Sequence, residues 1–421
     1  MLAIMAYGES RSYNLRLQPD PSSPSAVSAT IGASRRALAG FFVSGALLST
    51  PGAVLPAWGY HLRPHFVMVG HYFLALNTGV LLGAVLSFPL LRRRGIKGPL
   101  TGASAIASAS LVVLAFMGPP VNEWWRVPPL VALGAAVAVL NTGIFHALSP
   151  AYLRNRAATV NIGGVLFGLG SFVAPLLVAG TFNFYRVSLI FLVLAALPGA
   201  YAVICSRRKF PKPEGLDRHE HDQQTRPQWT IPAAILLAAL LFFHFGNEFA
   251  IAGWLPLFLI GRLGMSPVSA MILVASYWLA LTAGRLTAQL LLPAVSHSWL
   301  LLGSAVAALF GCLILTFTDN RFGAWSGTLL VGFGFAPIYP LVVEKIGARF
   351  PTYHPGLFNG IFSAGLTGGL LAPATLGYAG EWFGIRVVMA LPAAGTAIVV
   401  VLVLAIWAEA KVASWMDAKP N

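Results

Sequence analysis

Charge is what this sequence has least of. Asp, Glu, Lys and Arg make up 10% of its 421 residues, where soluble domains run near a quarter. A soluble body of this length needs a far more polar coat, so a large soluble enzyme is excluded. Acids are the scarcer sign, 13 against 27 bases. The resulting net charge of +14 is not gathered into one patch but scattered in short clusters between apolar runs. That pattern gives no expectation of a nucleic-acid partner. Cysteine is nearly missing too. Cys205 and Cys312 stand in apolar segments without CxxC or Cys/His spacing, so neither a disulfide framework nor a metal site is expected. There is no GxxxxGK[ST], HExxH or GxSxG, and no pair of intramembrane aspartates. Neither a cofactor nor an enzyme is therefore expected.

What remains is apolar: 57% of the residues, with a mean hydropathy of +0.76. A bilayer-crossing helix takes about 20 mostly apolar residues. By that measure the sequence predicts twelve, over 37–59, 66–91, 98–118, 127–148, 157–179, 185–206, 231–258, 266–292, 298–317, 324–346, 355–378 and 385–408. Many contain Gly or Pro, which membrane helices tolerate. The expected fold class is an all-α membrane protein with the lipid bilayer as its partner. Residues 1–36, Pro/Ser-rich at PDPSSPSAVSAT, read as a disordered tail, with Met1 or Met5 as the start. The polar stretch 207–230 reads as a linker between six-helix halves at 37–206 and 231–408, and 409–421 as a second tail.

The basic residues orient these spans. Twenty Lys and Arg fall in the two tails, the linker and the alternate loops on their side, and six fall singly in the remaining loops. The positive-inside rule then predicts cytoplasmic termini and a cytoplasmic linker, in a multi-pass protein of a cell or inner membrane.

The halves look alike. An offset of 201 pairs Phe41 with Phe242, Gly45 with Gly246, Gly52 with Gly253, Gly83 with Gly284 and Gly102 with Gly303. Later, an offset of 198 pairs Asn161 with Asn359, Gly170 with Gly368 and Pro175 with Pro373. Two parallel six-helix repeats with a site at mid-membrane are a transporter architecture.

At this point two loops become informative. GAVLSFPLLRRRGIKG, 83–98, resembles the Gly-started basic loop of the major facilitator superfamily, with Phe88 and Pro89 near the place of its usual acid. Its repeat partner GRLTAQLLLPAVSHS, 284–298, keeps Gly284 and Arg285. The resemblance covers the chain after residue 36. It implies two pseudo-symmetric halves and transport by alternating access, and the chain is expected to act as a monomer. A narrower likeness is carried by Gly246-x-Glu248, Trp254, Tyr277-Trp278 and Gly284-Arg285. It is similar to the second half of fucose permease-type transporters, which implies proton-linked uptake of sugars. Those symporters use an acid on the first helix, and span 1 here has none.

The polar residues inside the spans are the site candidates. An acid at mid-span costs about 2.5–3.5 kcal/mol on insertion scales and is usually functional. Glu248 is such an acid, with His244 one helical turn before it. These two are the expected proton-coupling pair. Burial favours the protonated acid and a neighbouring cation favours the carboxylate, and the sequence leaves that contest open. Sugars need amide and carboxyl partners and an aromatic face, which Asn77, Asn247, Glu248, Trp254, Tyr277 and Trp278 supply. The bland counterparts are a neutral Glu bonded within the bundle and aromatics that merely pack.

Other residues are expected at gates or in the scaffold: Arg92, Arg93, Arg94, Gly83, Gly284, Arg285, Asn161 and Asn359. Arg285, alone near a helix end, is expected to seek Glu344 or a terminal carbonyl. His71 and His146 are weaker candidates for pH-dependent gating. The glycines of 167–175 and 365–373 read as packing and hinge surfaces.

The expected function is secondary transport of a small polar organic solute, a sugar, with protons as the driving ion. An exporter of apolar cations, with Glu248 as charge selector, is the competing reading. From another class, a non-transporting membrane receptor also fits. An organic-phosphate or nitrate carrier would need a cation at mid-membrane, and apart from Arg186 and Arg386 at the second residue of their spans, Arg285 is the sole arginine in any span region, placed near its end.

Overall fold

A computed structural model describes residues 24–154, 156–182, 187–208, 210, 231–350 and 355–417. The described chain is helical: α1 (Pro24–Val54), α2 (Phe66–Arg94), α3 (Lys97–Ala115), α4 (Val127–Arg154), α5 (Arg156–Thr181), α6 (Val187–Ser206), α7 (Ile231–Leu263), α8 (Pro267–Leu291), α9 (His297–Phe317), α10 (Arg321–Phe335), α11 (Ile338–Arg349), α12 (Pro355–Phe383) and α13 (Val387–Asp417). Twelve segments are long and apolar enough to cross a membrane, so the expected all-α fold with twelve spans stands. Most of the expected linker and the first part of the N-terminal tail lie outside the described residues.

Local chemistry sets the element ends. Ser266 accepts a hydrogen bond from Ser269 N, and Pro267 follows it at the first helical position. Both devices satisfy or remove donors that a helix start leaves free. Asn320 caps α10 in the same way through Gly323 N, at 2.8 Å. The α2–α3 and α7–α8 connections turn on Gly95 and Gly264, both with positive φ near 60°, a region that side chains disfavour.

Two elements differ from expectation. α1 begins at Pro24, inside the stretch 1–36 expected to be an unstructured tail. After Pro24 the sequence runs Ala-rich without another proline until Pro51, so nothing breaks the helix before the span. The tenth span, expected as one helix over 324–346, is two helices with a break at Ala336–Pro337. Proline supplies no N–H and clashes with the preceding turn, and Gly332 and Gly334 just before it weaken the helix further.

The chain forms two compact units, Met1–Leu48 with Ala75–Leu177 and Asn183–Asp222, and Ser49–Leu74 with Val178–Phe182 and Gln223–Asn421. In the first, α3 packs on α4 and α6. In the second, α7 packs on α8, α12 and α13, and α9 on α10 and α13. Apolar tails of lipid give helices no hydrophobic reason to associate, so close backbone approach must supply the attraction. Glycine allows it. A Cβ on Gly83 would lie 2.3 Å from Ala135 O, and one on Gly284 would lie 2.6 Å from Phe333 O and 2.8 Å from Ala336 Cβ. Gly83 and Gly284 pair at the offset of 201, while the backbone each one meets, that of Ala135 and of Phe333, pairs at 198, so each half makes a related contact with the partner helix shifted by three residues.

The repeat needs one adjustment. Gly170 packs on Phe42 O and Gly368 on Phe242 O, where a Cβ would lie 1.9 Å away in either case. This equates Phe42 with Phe242, whereas the 201 offset equates Phe41 with it. Phe-Phe doublets at 41–42 and 242–243 leave such a one-residue slip invisible in the sequence.

Candidate functional site

The helix α7 carries His244 and Glu248 one turn apart. Their spacing brings the imidazole Nε2 to 3.4 Å from the carboxylate Oε2. The imidazole is fully buried, while the Glu248 side chain keeps 13% of its exposure. The approach is close enough for an ion pair, but it is out of line for a hydrogen bond, and both ring nitrogens of His244 lack a partner. Phe245 and Phe335 wall the imidazole, with ring centroids 5.5 and 5.6 Å away.

The helix α8 faces this pair with Tyr277 and Arg285, eight residues apart and so on one stripe. Arg285 lies within electrostatic reach of Glu248, His244, Tyr277 and Tyr339. It makes no direct ion pair with Glu248, and its Nε is buried without a partner. The Tyr277 hydroxyl and the Trp278 indole N–H are also buried and unpartnered, their rings 5.4 Å apart edge to face. A buried polar group left unsatisfied costs about 1–3 kcal/mol, and native proteins hold few. Tyr277 and Arg285 bring such groups within electrostatic reach of one carboxylate, Glu248, with Trp278 beside Tyr277.

Tyr339 is the residue that the sequence reading missed. It stands just past the α10–α11 break, within electrostatic reach of both Arg285 and Glu248, and its ring lies 5.2 Å from that of Phe245. Gly- and Pro-interrupted spans are where membrane transporters build sites. The run GFGFAPIYP, 332–340, carried that signal.

Arg285 requires the largest revision. It does not pair with Glu344, whose carboxylate instead lies 2.7 Å from His297 Nε2. The helix continues six residues beyond Arg285 to Leu291, which puts the guanidinium inside the bundle with the other polar groups. Spacing alone could not show this, because a loop-side and a core-side position on one helix differ only by which neighbours pack there.

Two expected contacts of the solute are engaged in packing. Asn247 donates through Nδ2 to Thr396 Oγ1 at 3.3 Å, and Thr396 bonds Pro392 O at 2.7 Å. Asn247 also fills the space above Gly395, where a Cβ would meet its Oδ1 at 2.3 Å. Trp254 is wholly buried. Its indole donates to Pro373 O at 2.9 Å, and Phe66 and Phe73 pack on its ring. On α7 these two point away from the face that carries Glu248, toward the neighbours α12 and α13 that bind them.

The remaining candidates are dispersed. Asn77 sits half-buried on α2 in the first unit. Arg92, Arg93 and Arg94 are exposed at the end of α2. Gly83 and Gly284 are helix-packing points. The side chains of Asn161 and Asn359 lie outside the described residues. His146 bonds Thr142 O of its own helix at 2.9 Å. His71 bonds Tyr378 at 3.0 Å, within the second unit. There the end of α1 and the start of α2 meet α7 and α12 through glycine: a Cβ would lie 2.7 Å from Ala252 O at Gly52 and 2.7 Å from Ala374 O at Gly70. Among the described residues, no three His, Cys, Asp or Glu side chains gather as metal ligands would.

Comparison with known proteins agrees with this architecture. The Major Facilitator Superfamily profile matches residues 145–373. A Yersinia pestis protein described as an uncharacterized transporter of that type is 24% identical over 343 residues, 80% of this chain and 86% of the relative. Among solved structures, a variant of the nucleoside transporter NupG superposes with a TM-score of 0.68 at 13% identity, covering 89% of this chain and 99% of its own. A variant of the E. coli fucose:proton symporter FucP gives 0.58 at 15% identity, covering 90% and 99%.

Proposed function

This chain belongs to the major facilitator superfamily and is a secondary transporter, and we propose that it carries a sugar-sized polar solute coupled to protons through Glu248. The observation that supports this reading is the cluster of Glu248, His244, Arg285 and the unpartnered Tyr277 hydroxyl, with the unpartnered Trp278 indole beside Tyr277. A protonatable acid one turn from a histidine, beside a fixed cation, holds a proton in a place lipid would not tolerate. The free hydroxyl and indole donors suit the oxygens of a polar solute. The likeness to sugar and nucleoside transporters in fold is consistent with a solute of that size. We place the termini and the 207–230 linker on the cytoplasmic side, on the strength of the basic residues there.

The test is uptake of labelled monosaccharides by purified protein in liposomes, with and without an inward proton gradient, for the native chain and Glu248→Gln. Gradient-driven uptake is expected, with Glu248→Gln losing accumulation but keeping exchange between equal pools. Uptake indifferent to gradient and substitution would refute the coupling role. No flux of any sugar, with flux of apolar cations instead, would replace this reading by drug export.

A further inference from the structure

Three groups with unpartnered buried polar atoms lie within reach of Glu248: Tyr277, Arg285 and His244. Tyr277 offers an O–H that can donate or accept, neutral His244 one ring N–H and one acceptor nitrogen, and Arg285 an Nε–H that can only donate. Glu248 is the one carboxylate among them, and Arg285 the one cation. A neutral sugar can meet these groups through its hydroxyls, but it brings no counter-charge to the guanidinium of Arg285. A carboxylate brings about four acceptor sites and no donor. It also forms the paired bonds for which a guanidinium is shaped. Arg285 is open to one, since it is not locked to Glu248 in a direct ion pair and its Nε is unbonded.

We propose that the solute is a sugar acid, a monoanion whose carboxylate binds Arg285 in competition with Glu248. This rests on the sugar-transport reading above and specifies its chemistry. The two carboxylates share one cation. With Glu248 ionised, Arg285 is already neutralised, and a second anion in the same place brings uncompensated charge into the bundle. With Glu248 protonated, the positive charge of Arg285 is free for the solute. The solute anion and one proton therefore enter together, and the pair carries no net charge.

The groups that share the site support this balance. Tyr277 and Arg285 come from α8 and Tyr339 from α11, and His244 is on α7 itself. From α9 only the buried Cys312 reaches Tyr277. On α12 and α13, which also pack on α7, the charged residues are Glu381, Glu409, Lys411 and Asp417, all in the final turns or just before them. Glu344 and Arg349 of α11 are paired with His297 and Glu409, and Lys345 with Ser298. Among the described residues of these elements, no second mid-span cation competes with Arg285.

The experiment measures binding to purified protein by titration calorimetry between pH 5.5 and 7.5. The probes are matched pairs of six-carbon sugar acids and their neutral counterparts, beginning with glucuronate against glucose and gluconate against glucitol. We expect an acid to bind and its neutral partner to bind at least tenfold more weakly. Uptake of one linked proton tightens acid binding by up to about tenfold per pH unit on acidification. Glu248→Gln, a fixed mimic of the protonated acid, should bind the acid at pH 7.5 as tightly as the native chain does at pH 5.5, and without pH dependence. A merely structural Glu248 would not give that gain. Arg285→Gln should lose the preference for the acid, and Arg285→Lys should restore part of it. Equal or tighter binding of the neutral partners, acid binding that survives Arg285→Gln, or no binding by any acid would each overturn the proposal. Gradient-driven flux of neutral sugars in liposomes would then leave the proton-coupled reading standing without it.

Discussion

The start of α2 meets α12 so closely at Gly70 that the contact can be tested by one methyl group. A Cβ there would lie 2.7 Å from Ala374 O and 3.2 Å from Gly377 Cα. Both neighbours are backbone, so no side chain can swing away, and the helices must separate by about half an ångström or more. Overpacking of this kind costs about 1–3 kcal/mol. If the contact opens during transport, that cost falls only on the state in which it is closed. The closed population should then drop by about 5- to 150-fold relative to the open one. Phe73 supplies the reporter, because it is buried in this contact against Trp254. A cysteine placed by Phe73→Cys should react slowly with a membrane-impermeant maleimide, and Gly70→Ala should speed that reaction within the same range. The native Cys205 and Cys312 are buried and should stay silent. Gly102→Ala is the control, since nothing lies within 4 Å of a Cβ there. Folded Gly70→Ala protein with an unchanged labelling rate would refute the reasoning and make the contact static packing.

Three further substitutions separate scaffold from site. Asn247→Ala removes the bond to Thr396; side-chain hydrogen bonds between membrane helices average about 0.6 kcal/mol, so thermal stability in detergent should fall modestly while solute KM stays within about twofold. Trp254→Phe keeps the packing but loses the bond to Pro373 O; a melting scan should show a loss of about 1 kcal/mol, and a rise in KM without that loss would instead put Trp254 at the solute. Tyr277→Phe removes a hydroxyl that has no protein partner, so stability should hold or rise slightly while solute affinity weakens by about tenfold, the scale of one hydrogen bond; unchanged affinity would remove Tyr277 from the site.

Much of the architecture was legible because bilayer physics writes itself plainly into sequence. Every backbone group must be satisfied within its own helix, so each crossing needs a long apolar run, and such runs can be counted without knowing any contact. Glu248 was legible for a related reason, as a mid-span acid is too costly to be incidental. The glycine pairs were legible through the repeat. What a helical repeat does not encode is which face of a helix meets which neighbour. Asn247 and Glu248 are adjacent in sequence, yet one bonds Thr396 on α13 and the other faces His244 and the α8 cation.

The sequence by itself determined twelve apolar crossings, two related halves, and an acid with a histidine one turn away, because those follow from periods and costs along a single chain. The tertiary structure alone decided that Arg285 lies near Glu248 rather than Glu344, that Tyr339 joins them past a broken helix, and that the Trp254 indole is bonded to Pro373 O. Those outcomes depend on how separate helices are rotated and brought together. A one-residue change in register turns a side chain by about 100°, enough to move it from a polar site into a packed interface.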